Sequence, residues 1–280
     1  MPQNFRIDDC GHLLLPGKPA DYLDAAVLGA ENRALLGERQ VMLQILRDET
    51  PIPTTAAREG YFDDRHVEYW LSGLRDMRKV VAATGLDRLE APRILDFGGA
   101  SGRVIRHFRG WKPDAQLYLS DINPQHIRLV QHMFGGAVTG LHNHGLPTLP
   151  FPDDYLDCVM AFSVFTHIDA DDTAWLMELR RIAKPGGHLY ISIHDQATWR
   201  ILPQTVLAGA SLDNDDFRTY HAANPDLRGR AVHTYNDAAD YDCNVFLGED
   251  YIAGIWAPLF RRYSIAPLAH DHQTAVTLMV

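Results

Sequence analysis

The chain has 280 residues, of which 46% are hydrophobic and 22% charged, and its formal net charge is −10. This is the composition of a globular protein. The acidic charge argues against a nucleic-acid substrate, because phosphate contacts require clustered lysine and arginine. Three widely separated cysteines argue against a disulfide framework. No apolar run approaches the roughly 18 residues of a membrane span. We therefore predict a cytoplasmic protein that binds neither nucleic acid nor membrane.

The first third of the chain shows helical rather than strand periodicity. Apolar residues recur at roughly helical spacing from Asp21 to Arg47 and again from Asp64 to Thr84. Gly85 is placed to end the second helix. These patterns predict a helical N-terminal cap over residues 1–92.

From Arg93 onward, strand patterns alternate with helical patterns. The expected strands are Arg93–Asp96, Ala115–Asp121, Ala137–His142, Leu156–Phe162 and His188–His194. The expected helices are Gly102–Arg109, Pro124–Phe134 and Asp172–Ile182, and the turn Lys184–Gly187 follows the last of them. Such alternation is typical of an α/β fold with a doubly wound, mostly parallel sheet.

The remainder of the chain is harder to interpret. Residues 196–247 lack clear periodicity, and we predict an insertion with short helices there. Glu249–Phe260 has a helical pattern, and Arg262–Ala266 and Thr274–Val280 have strand patterns that would close the sheet at seven strands. Residues 93–280 are thus expected to form one domain that contains the insertion.

A glycine-rich turn follows the first expected strand, between Arg93 and Arg103. In an open α/β sheet, this turn lies at the carboxyl end of a strand, where such sheets bind ligands. The segment from Gly98 to Arg103 contains no lysine, so it is not a P-loop, and its glycines do not match the dinucleotide fingerprint. It matches Asp-x-Gly-x-Gly-x-Gly at Asp96, Gly98 and Gly102, with Ala100 at the middle glycine position.

This pattern resembles motif I of the class I S-adenosylmethionine-dependent methyltransferases. The segment Leu149–Ile168 resembles the family's Leu-Pro-Phe motif and its fourth strand, and Lys184–Leu189 resembles its Pro-Gly-Gly turn. The strong resemblance covers about residues 93–195. It implies a Rossmann-like fold and S-adenosylmethionine as cofactor. Ala100 departs from the family pattern, and we expect it to be tolerated at negative φ.

The resemblance also implies which residues hold the cofactor. Asp121 ends strand two, 19 residues after Gly102, and can accept two hydrogen bonds from the ribose hydroxyls. A strand-end or helix-capping role is the structural alternative for Asp121. Ile122 matches the apolar wall beside the adenine, and Asn143 is the candidate polar contact to the base. The full expected set is Asp96, Phe97, Gly98, Gly99, Ala100, Gly102, Asp121, Ile122, Asn143, Phe162 and Ser163.

Two histidines at strand ends are the candidates for a catalytic base. A hydroxyl or ammonium acceptor must lose a proton, and histidine is the usual base near neutral pH. His194 ends strand five and His167 follows strand four. For each of them, a hydrogen-bonded structural role is the alternative. No histidine pair has the spacing of a metal motif, so we expect no metal.

These observations predict an enzyme that methylates a small-molecule acceptor. O-methylation of a sugar or natural product and N- or S-methylation of an amino-acid-like metabolite both stay open, as does a homodimer. The alternative is a non-catalytic, cofactor-binding partner subunit, for which Ala100 is the only sequence hint. Aminopropyl transfer is disfavoured, because Ser163–Ile168 lacks the acidic pair of that family.

Overall fold

The computed structural model describes residues 10–24, 28–234 and 242–280. They fall into two compact units, one containing residues up to 78 together with 99–142, the other containing 79–98 together with 143–280. The chain passes from one unit to the other within a long helix, within the glycine-rich turn and after the third strand. The division of the chain into a cap and a core domain at residue 92 stays a prediction.

The described residues form nine strands and ten α-helices. The strands are β1 Arg93–Phe97, β2 Gln116–Asp121, β3 Thr139–His142, β4 Leu156–Ala161, β5 Ala183–Asp195, β6 Arg230–Thr234, β7 Cys243–Leu247, β8 Arg262–His270 and β9 Gln273–Met279. The helices are α1 Ala30–Gly37, α2 Arg39–Arg47, α3 His66–Thr84, α4 Ile105–Trp111, α5 Pro124–Phe134, α6 Asp172–Ile182, α7 Gln196–Ile201, α8 Leu207–Leu212, α9 Asp215–Ala223 and α10 Glu249–Tyr251. No helix in these ranges is long and apolar enough to cross a membrane.

The helix expected from Asp21 to Arg47 is wrong as a single element. The chain forms a 3₁₀ turn at Pro19–Tyr22 and then α1 and α2, while residues 25–27 lie outside the described ranges. Glu38 separates α1 from α2 in an extended conformation, with φ −68° and ψ 120°. Its carboxylate accepts two hydrogen bonds from Arg78, at 2.9 and 3.2 Å. This distant contact leaves no trace in the local periodicity.

The helix expected from Asp64 to Thr84 is confirmed as α3. Most of its expected apolar stripe is buried, including Tyr69, Trp70 and Leu74, and Gly85 follows in the left-handed conformation at φ 68°. Trp70 donates its indole N–H to Asp48 at 2.8 Å. The buried polar atom is therefore paired, as burial requires.

In the first unit, β2 and β3 pair in parallel, with Tyr118 opposite Thr139. Helix α5 connects them and packs on both, as in a βαβ unit. Asn123 caps α5 by accepting a hydrogen bond from the Gln125 N–H, and Pro124 occupies the first helical position, where proline is favoured.

In the second unit, β1, β4 and β5 form a parallel core. Ile94 lies opposite Cys158, and Cys158 opposite His188. The other edge of the long strand β5 pairs with two strands, β9 and β7. It pairs antiparallel with β9 over residues 188–193 and parallel with β7 at His194 and Asp195. The hairpin β8–β9 closes this edge, as the sequence predicts.

The expected count of seven strands is wrong, because β6 and β7 lie inside the predicted insertion. They form an antiparallel pair, in which Ala231 faces Phe246. Every residue of β7 is buried, but its five residues include the polar Asn244 and are too few to identify as a strand without their partner. The short helices expected in this segment are confirmed as α7, α8 and α9, and residues 235–241 lie outside the described ranges.

The helix expected over Glu249–Phe260 is helical as far as Leu259 but changes type along its length. One α turn is followed by a π segment at Ile252–Trp256 and a 3₁₀ turn at Ala257–Leu259. Asp172 anchors this segment within the second unit. Its carboxylate accepts hydrogen bonds from the indole of Trp256 at 2.7 Å and from the hydroxyl of Tyr251 at 3.1 Å.

Candidate functional site

The glycine-rich turn is built from residues with positive φ. Gly98, Ala100 and Gly102 have φ values of 69°, 45° and 76°. Gly98 belongs to the second unit, where a Cβ added to it would lie 2.3 Å from Cγ2 of Val164. A side chain at position 98 is therefore excluded for two reasons. The positive φ disfavours it, and it would collide with Val164.

Ala100 overturns one expectation. We expected this alanine to keep negative φ, and its φ of 45° shows that expectation to be wrong. A left-handed alanine costs about 1–2 kcal/mol, so the surroundings must hold it. The N–H of Ala100 donates to Oδ2 of Asp121 at 2.8 Å. This charge-assisted hydrogen bond is one of the stronger kinds.

Asp121 is buried at the carboxyl end of β2 and already has three protein donors. Besides the Ala100 N–H, it accepts from the Asn123 N–H at 2.8 Å and lies 3.3 Å from Nδ1 of His126. A carboxylate offers about four acceptor positions. About one position is therefore left for a ligand hydroxyl, fewer than the two that the sequence suggested.

His126 is a part of this group that sequence reasoning missed. Burial lowers its pKa, but the hydrogen bond and negative charge of Asp121 outweigh that effect, so the pKa is raised overall. Nε2 of His126 lies 3.5 Å from a carboxylate oxygen of Glu59. The only sequence signal was its position on the first turn of α5, shortly after Asp121.

The other expected cofactor residues are placed separately in the two units. In the first, Ile122 follows Asp121 with 39% of its surface exposed, and its carbonyl accepts a hydrogen bond from Nε2 of His142 at 3.0 Å. In the second, Asp96 and Phe97 are buried at the end of β1, and the ring of Phe97 packs 4.7 Å from that of Trp175.

Asn143 carries an unused buried acceptor. Its Nδ2 donates to the carbonyl of His144 at 3.2 Å. Its Oδ1 has no donor among the described residues, although the side chain is buried. Burying such an acceptor without a partner costs about 1–3 kcal/mol, so this atom is suited to receive a ligand N–H group.

The turn after β4 holds Phe162 and Ser163. The ring of Phe162 lies 5.0 Å from that of His270 and 5.8 Å from that of Tyr190. Ser163 has a φ of 56°, and both its main chain and its hydroxyl form hydrogen bonds with side chains of β5 and β9. These contacts fix the turn.

His194 lies at the end of β5 and is only 1% exposed. Its ring lies tilted against those of Phe246 and His272, with centroids 5.2 and 5.7 Å away, and the backbone of Val245 lies beside the imidazole. Burial lowers the pKa of His194 to about 3, and the neighbouring imidazoles of His272 and His167 act in the same direction. The ring is thus neutral near pH 7 and a weak base.

His167 is half-buried after β4. Its Nδ1 donates to the carbonyl of Cys243 at 2.7 Å, and this fixes the tautomer, because a carbonyl only accepts. The structure therefore brings His167 beside the start of β7, in the same unit as His194. The catalytic roles of both histidines stay predictions.

Arg58, in the first unit, is a second residue that sequence reasoning missed. It is 2% exposed, and its Nη2 donates to the carbonyl of Asp63, while its Nη1 has no acceptor in the described part of the chain. The guanidinium lies 4.9 Å from the ring centre of Tyr69. The hydroxyl of Tyr69 in turn lies 2.9 Å from that of Ser101 in the glycine-rich turn. Nothing in the sequence around Arg58 indicates these contacts.

The comparison with protein families identifies the class. Residues 65–240, more than half of the chain, match the family described as "Methyltransferase domain". The chain belongs to this family, and our prediction of a class I S-adenosylmethionine-dependent methyltransferase, with that cofactor, is confirmed.

Two curated relatives show the extent of the similarity. The ubiquinone/menaquinone biosynthesis C-methyltransferase UbiE of Bordetella avium is 33% identical over 102 residues, which cover 35% of this chain and 40% of the relative. The protein of the same name from Cupriavidus metallidurans is 30% identical over 125 residues, covering 42% and 50%. The matched part spans about half the length of these relatives.

Two solved structures share the fold. The Burkholderia thailandensis 1,6-didemethyltoxoflavin-N1-methyltransferase, solved with bound 1,6-didemethyltoxoflavin and S-adenosylhomocysteine, has a TM-score of 0.50 at 15% identity. The match covers 91% of this chain and 92% of that one. The glycopeptide N-methyltransferase MtfA, complexed with S-adenosylhomocysteine, has a TM-score of 0.51 at 12% identity and covers 74% and 90%. The predicted Rossmann-like fold class is confirmed.

Replacing Ala100 with glycine tests the strain in the turn. We expect Ala100→Gly to raise the free energy of unfolding by about 1 kcal/mol, because glycine adopts positive φ without a steric penalty. Ala82→Gly on the exposed face of α3 is the matched control and should lower it by about 0.5–1 kcal/mol. Urea denaturation measures both, and a destabilising Ala100→Gly would contradict the strain.

The low pKa of His194 predicts a pH-dependent stability. Its folded pKa of about 3 lies below the ordinary 6.5, so the unfolded chain takes up the proton first as the pH falls, and stability is lost below about pH 6.5. Between pH 7 and 5.5 the wild type should lose about 1 kcal/mol more than His194→Gln. The exposed His132→Gln variant is the control and should follow the wild type. Equal pH slopes for all three proteins would show that His194 is not buried in its neutral form.

Proposed function

We propose that this protein transfers the methyl group of S-adenosylmethionine to a small-molecule acceptor. The observation that carries the proposal is the hydrogen bond from the Ala100 N–H to the Asp121 carboxylate. It joins the glycine-rich turn to the acidic strand end that the family uses for the ribose. The remaining acceptor position on Asp121 suits a ribose hydroxyl.

We propose that the adenine is recognised by Ile122 and Asn143. Ile122 offers an exposed apolar side chain directly after Asp121. Asn143 offers the buried Oδ1 that lacks a donor among the described residues. The exocyclic amino group of adenine is a donor of the kind this oxygen requires.

We propose that Arg58 binds the carboxylate at the methionine end of the cofactor. A buried guanidinium with an unpartnered N–H is costly, and a carboxylate is its best geometric match. The contact between Tyr69 and Ser101 supports this assignment, because it ties the helix beside Arg58 to the turn that would receive the cofactor.

When bound, the cofactor supplies a methyl group already activated by the sulfonium charge. The protein must therefore mainly orient the acceptor and exclude water. His194 and His167 are the proposed acceptor-side residues. In its neutral form, His194 is suited to accept a hydrogen bond from an acceptor hydroxyl or amine, whereas complete proton removal needs a stronger base.

We propose a small molecule as the methyl acceptor. The relatives named above are a C-methyltransferase and two N-methyltransferases, so the family does not determine which acceptor atom is methylated. O-methylation of a sugar or natural product and N- or S-methylation of an amino-acid-like metabolite remain our proposals. The cytoplasmic location also stays a prediction.

Calorimetric titration with S-adenosylmethionine, S-adenosylhomocysteine and NAD tests cofactor binding. We expect micromolar affinity for the first two ligands and none for NAD. Screening small-molecule acceptors for release of S-adenosylhomocysteine then tests the transfer itself. Cofactor binding with no transfer to any acceptor class would favour the non-catalytic partner subunit.

The role of Asp121 is tested by Asp121→Asn. We expect its affinity for S-adenosylhomocysteine to fall about tenfold to hundredfold, because an amide N–H₂ opposes the Ala100 N–H and the charge is lost. The exposed Asp114→Asn is the matched control and should bind like the wild type. Equal affinity in the two variants would remove Asp121 from the cofactor site.

The role of Arg58 is tested with two ligands that differ only at the methionine end. Arg58→Met should weaken S-adenosylhomocysteine binding about tenfold or more, because a charge-assisted pair is lost. It should leave 5′-methylthioadenosine, which lacks the carboxylate, within about threefold of the wild type. Arg58→Lys keeps the charge and should lie between. Equal losses for both ligands would show that Arg58 only supports the fold.

A further inference from the structure

The turn after β4 contains a strained residue that no local signal explains. Ser163 has a φ of 56°, a conformation that is unfavourable for a residue with a side chain. Such residues persist only where surrounding contacts hold them, and they cluster at functional sites. Ser163 also belongs to the set that the family resemblance assigns to the cofactor.

Two side chains from neighbouring strands hold Ser163. Its N–H donates to Oγ of Ser192 on β5 at 2.8 Å. Its hydroxyl lies 2.8 Å from Nε2 and 3.1 Å from Oε1 of Gln273 on β9. Ser192 in turn donates to Oε1 of Gln273 at 2.6 Å. The main chain and hydroxyl of Ser163 thus form a closed triangle of hydrogen bonds with the side chains of Ser192 and Gln273.

The tip of the β8–β9 hairpin fixes the position of Gln273. The carbonyl of His272 accepts a hydrogen bond from the hydroxyl of Thr198 on α7 at 2.6 Å, and Thr274 accepts one from the Leu268 N–H at 3.0 Å. The residues on both sides of Gln273 are thus anchored. The amide of Gln273 can therefore impose a position on Ser163 rather than follow it.

The position of Ser163 determines that of the next residue, which touches the glycine-rich turn. A Cβ added to Gly98 would lie 2.3 Å from Cγ2 of Val164, so Val164 packs directly against the Gly98 backbone. Any shift of the turn after β4 would therefore displace the first residue of the glycine-rich turn. Close packing transmits such shifts.

We propose that Gln273 is a positioning residue for the cofactor site. Together with Ser192, it holds Ser163 in the left-handed conformation and thereby keeps Val164 seated on Gly98. Gln273 lies far from motif I in the sequence and was not among the predicted site residues. The proposal rests on the proposed binding of S-adenosylmethionine.

The test combines a lesion at Gln273 with a rescue at Ser163. Gln273→Met has a similar size but cannot form the hydrogen bonds, and we expect it to weaken S-adenosylhomocysteine binding about tenfold. The exposed Gln204→Met is the matched control and should bind like the wild type. Ser163→Gly in the Gln273→Met background should restore binding to within about threefold of Ser163→Gly alone, because glycine adopts positive φ without support.

The outcomes separate this role from a structural one and from the proposed function. The positioning role would be overturned if Gln273→Met bound S-adenosylhomocysteine as tightly as Gln204→Met. It would also be overturned if the double variant bound as weakly as Gln273→Met. Absence of binding by the wild type would overturn the cofactor proposal and this inference together. If Gln273→Met does not fold, Ser192→Ala removes the other contact, and the same rescue by Ser163→Gly is expected.

Discussion

The left-handed path of the backbone after β1 is the constraint on which the candidate site depends. Three residues of this turn have positive φ, and one of them is Ala100, which pays a steric penalty for it. Asp121 compensates by accepting the Ala100 N–H. In the other unit, Val164 packs so closely on Gly98 that no side chain fits at that position. The turn is therefore held by partners and is not a flexible loop.

The neighbours of a buried histidine determine the direction in which its pKa shifts. His126 and His194 are both buried, yet their pKa values shift in opposite directions. His126 faces the Asp121 carboxylate, whose negative charge favours the protonated ring. His194 faces aromatic rings and other imidazoles, so burial favours the neutral form. The same residue type thus belongs to a charged group around Asp121 and to a buried, neutral cluster at the end of β5.

The predicted and observed elements agree where the apolar pattern is long and depends only on neighbouring residues. The nineteen-residue helix α3 and the buried strand β4 were predicted to within two residues, because their apolar spacing extends over several turns or fills a whole strand. The expectations that failed depend on distant partners. Glu38 separates α1 from α2 and pairs with the distant Arg78, and β7 forms its ladders with β6 and with the end of β5.

The sequence by itself determined the class of this protein, because the spacing of Asp96, Gly98, Gly102 and Asp121 is a local property of the chain. It also indicated the fold, since alternating strand and helix patterns have few compact solutions. Only the tertiary structure revealed the contacts of Arg58, His126 and Gln273, because no repeated spacing in the sequence indicates them. It also decided the conformation of Ala100 and the neutral state of His194. Backbone strain and burial arise from packing, which the spacing of residues in the sequence does not specify.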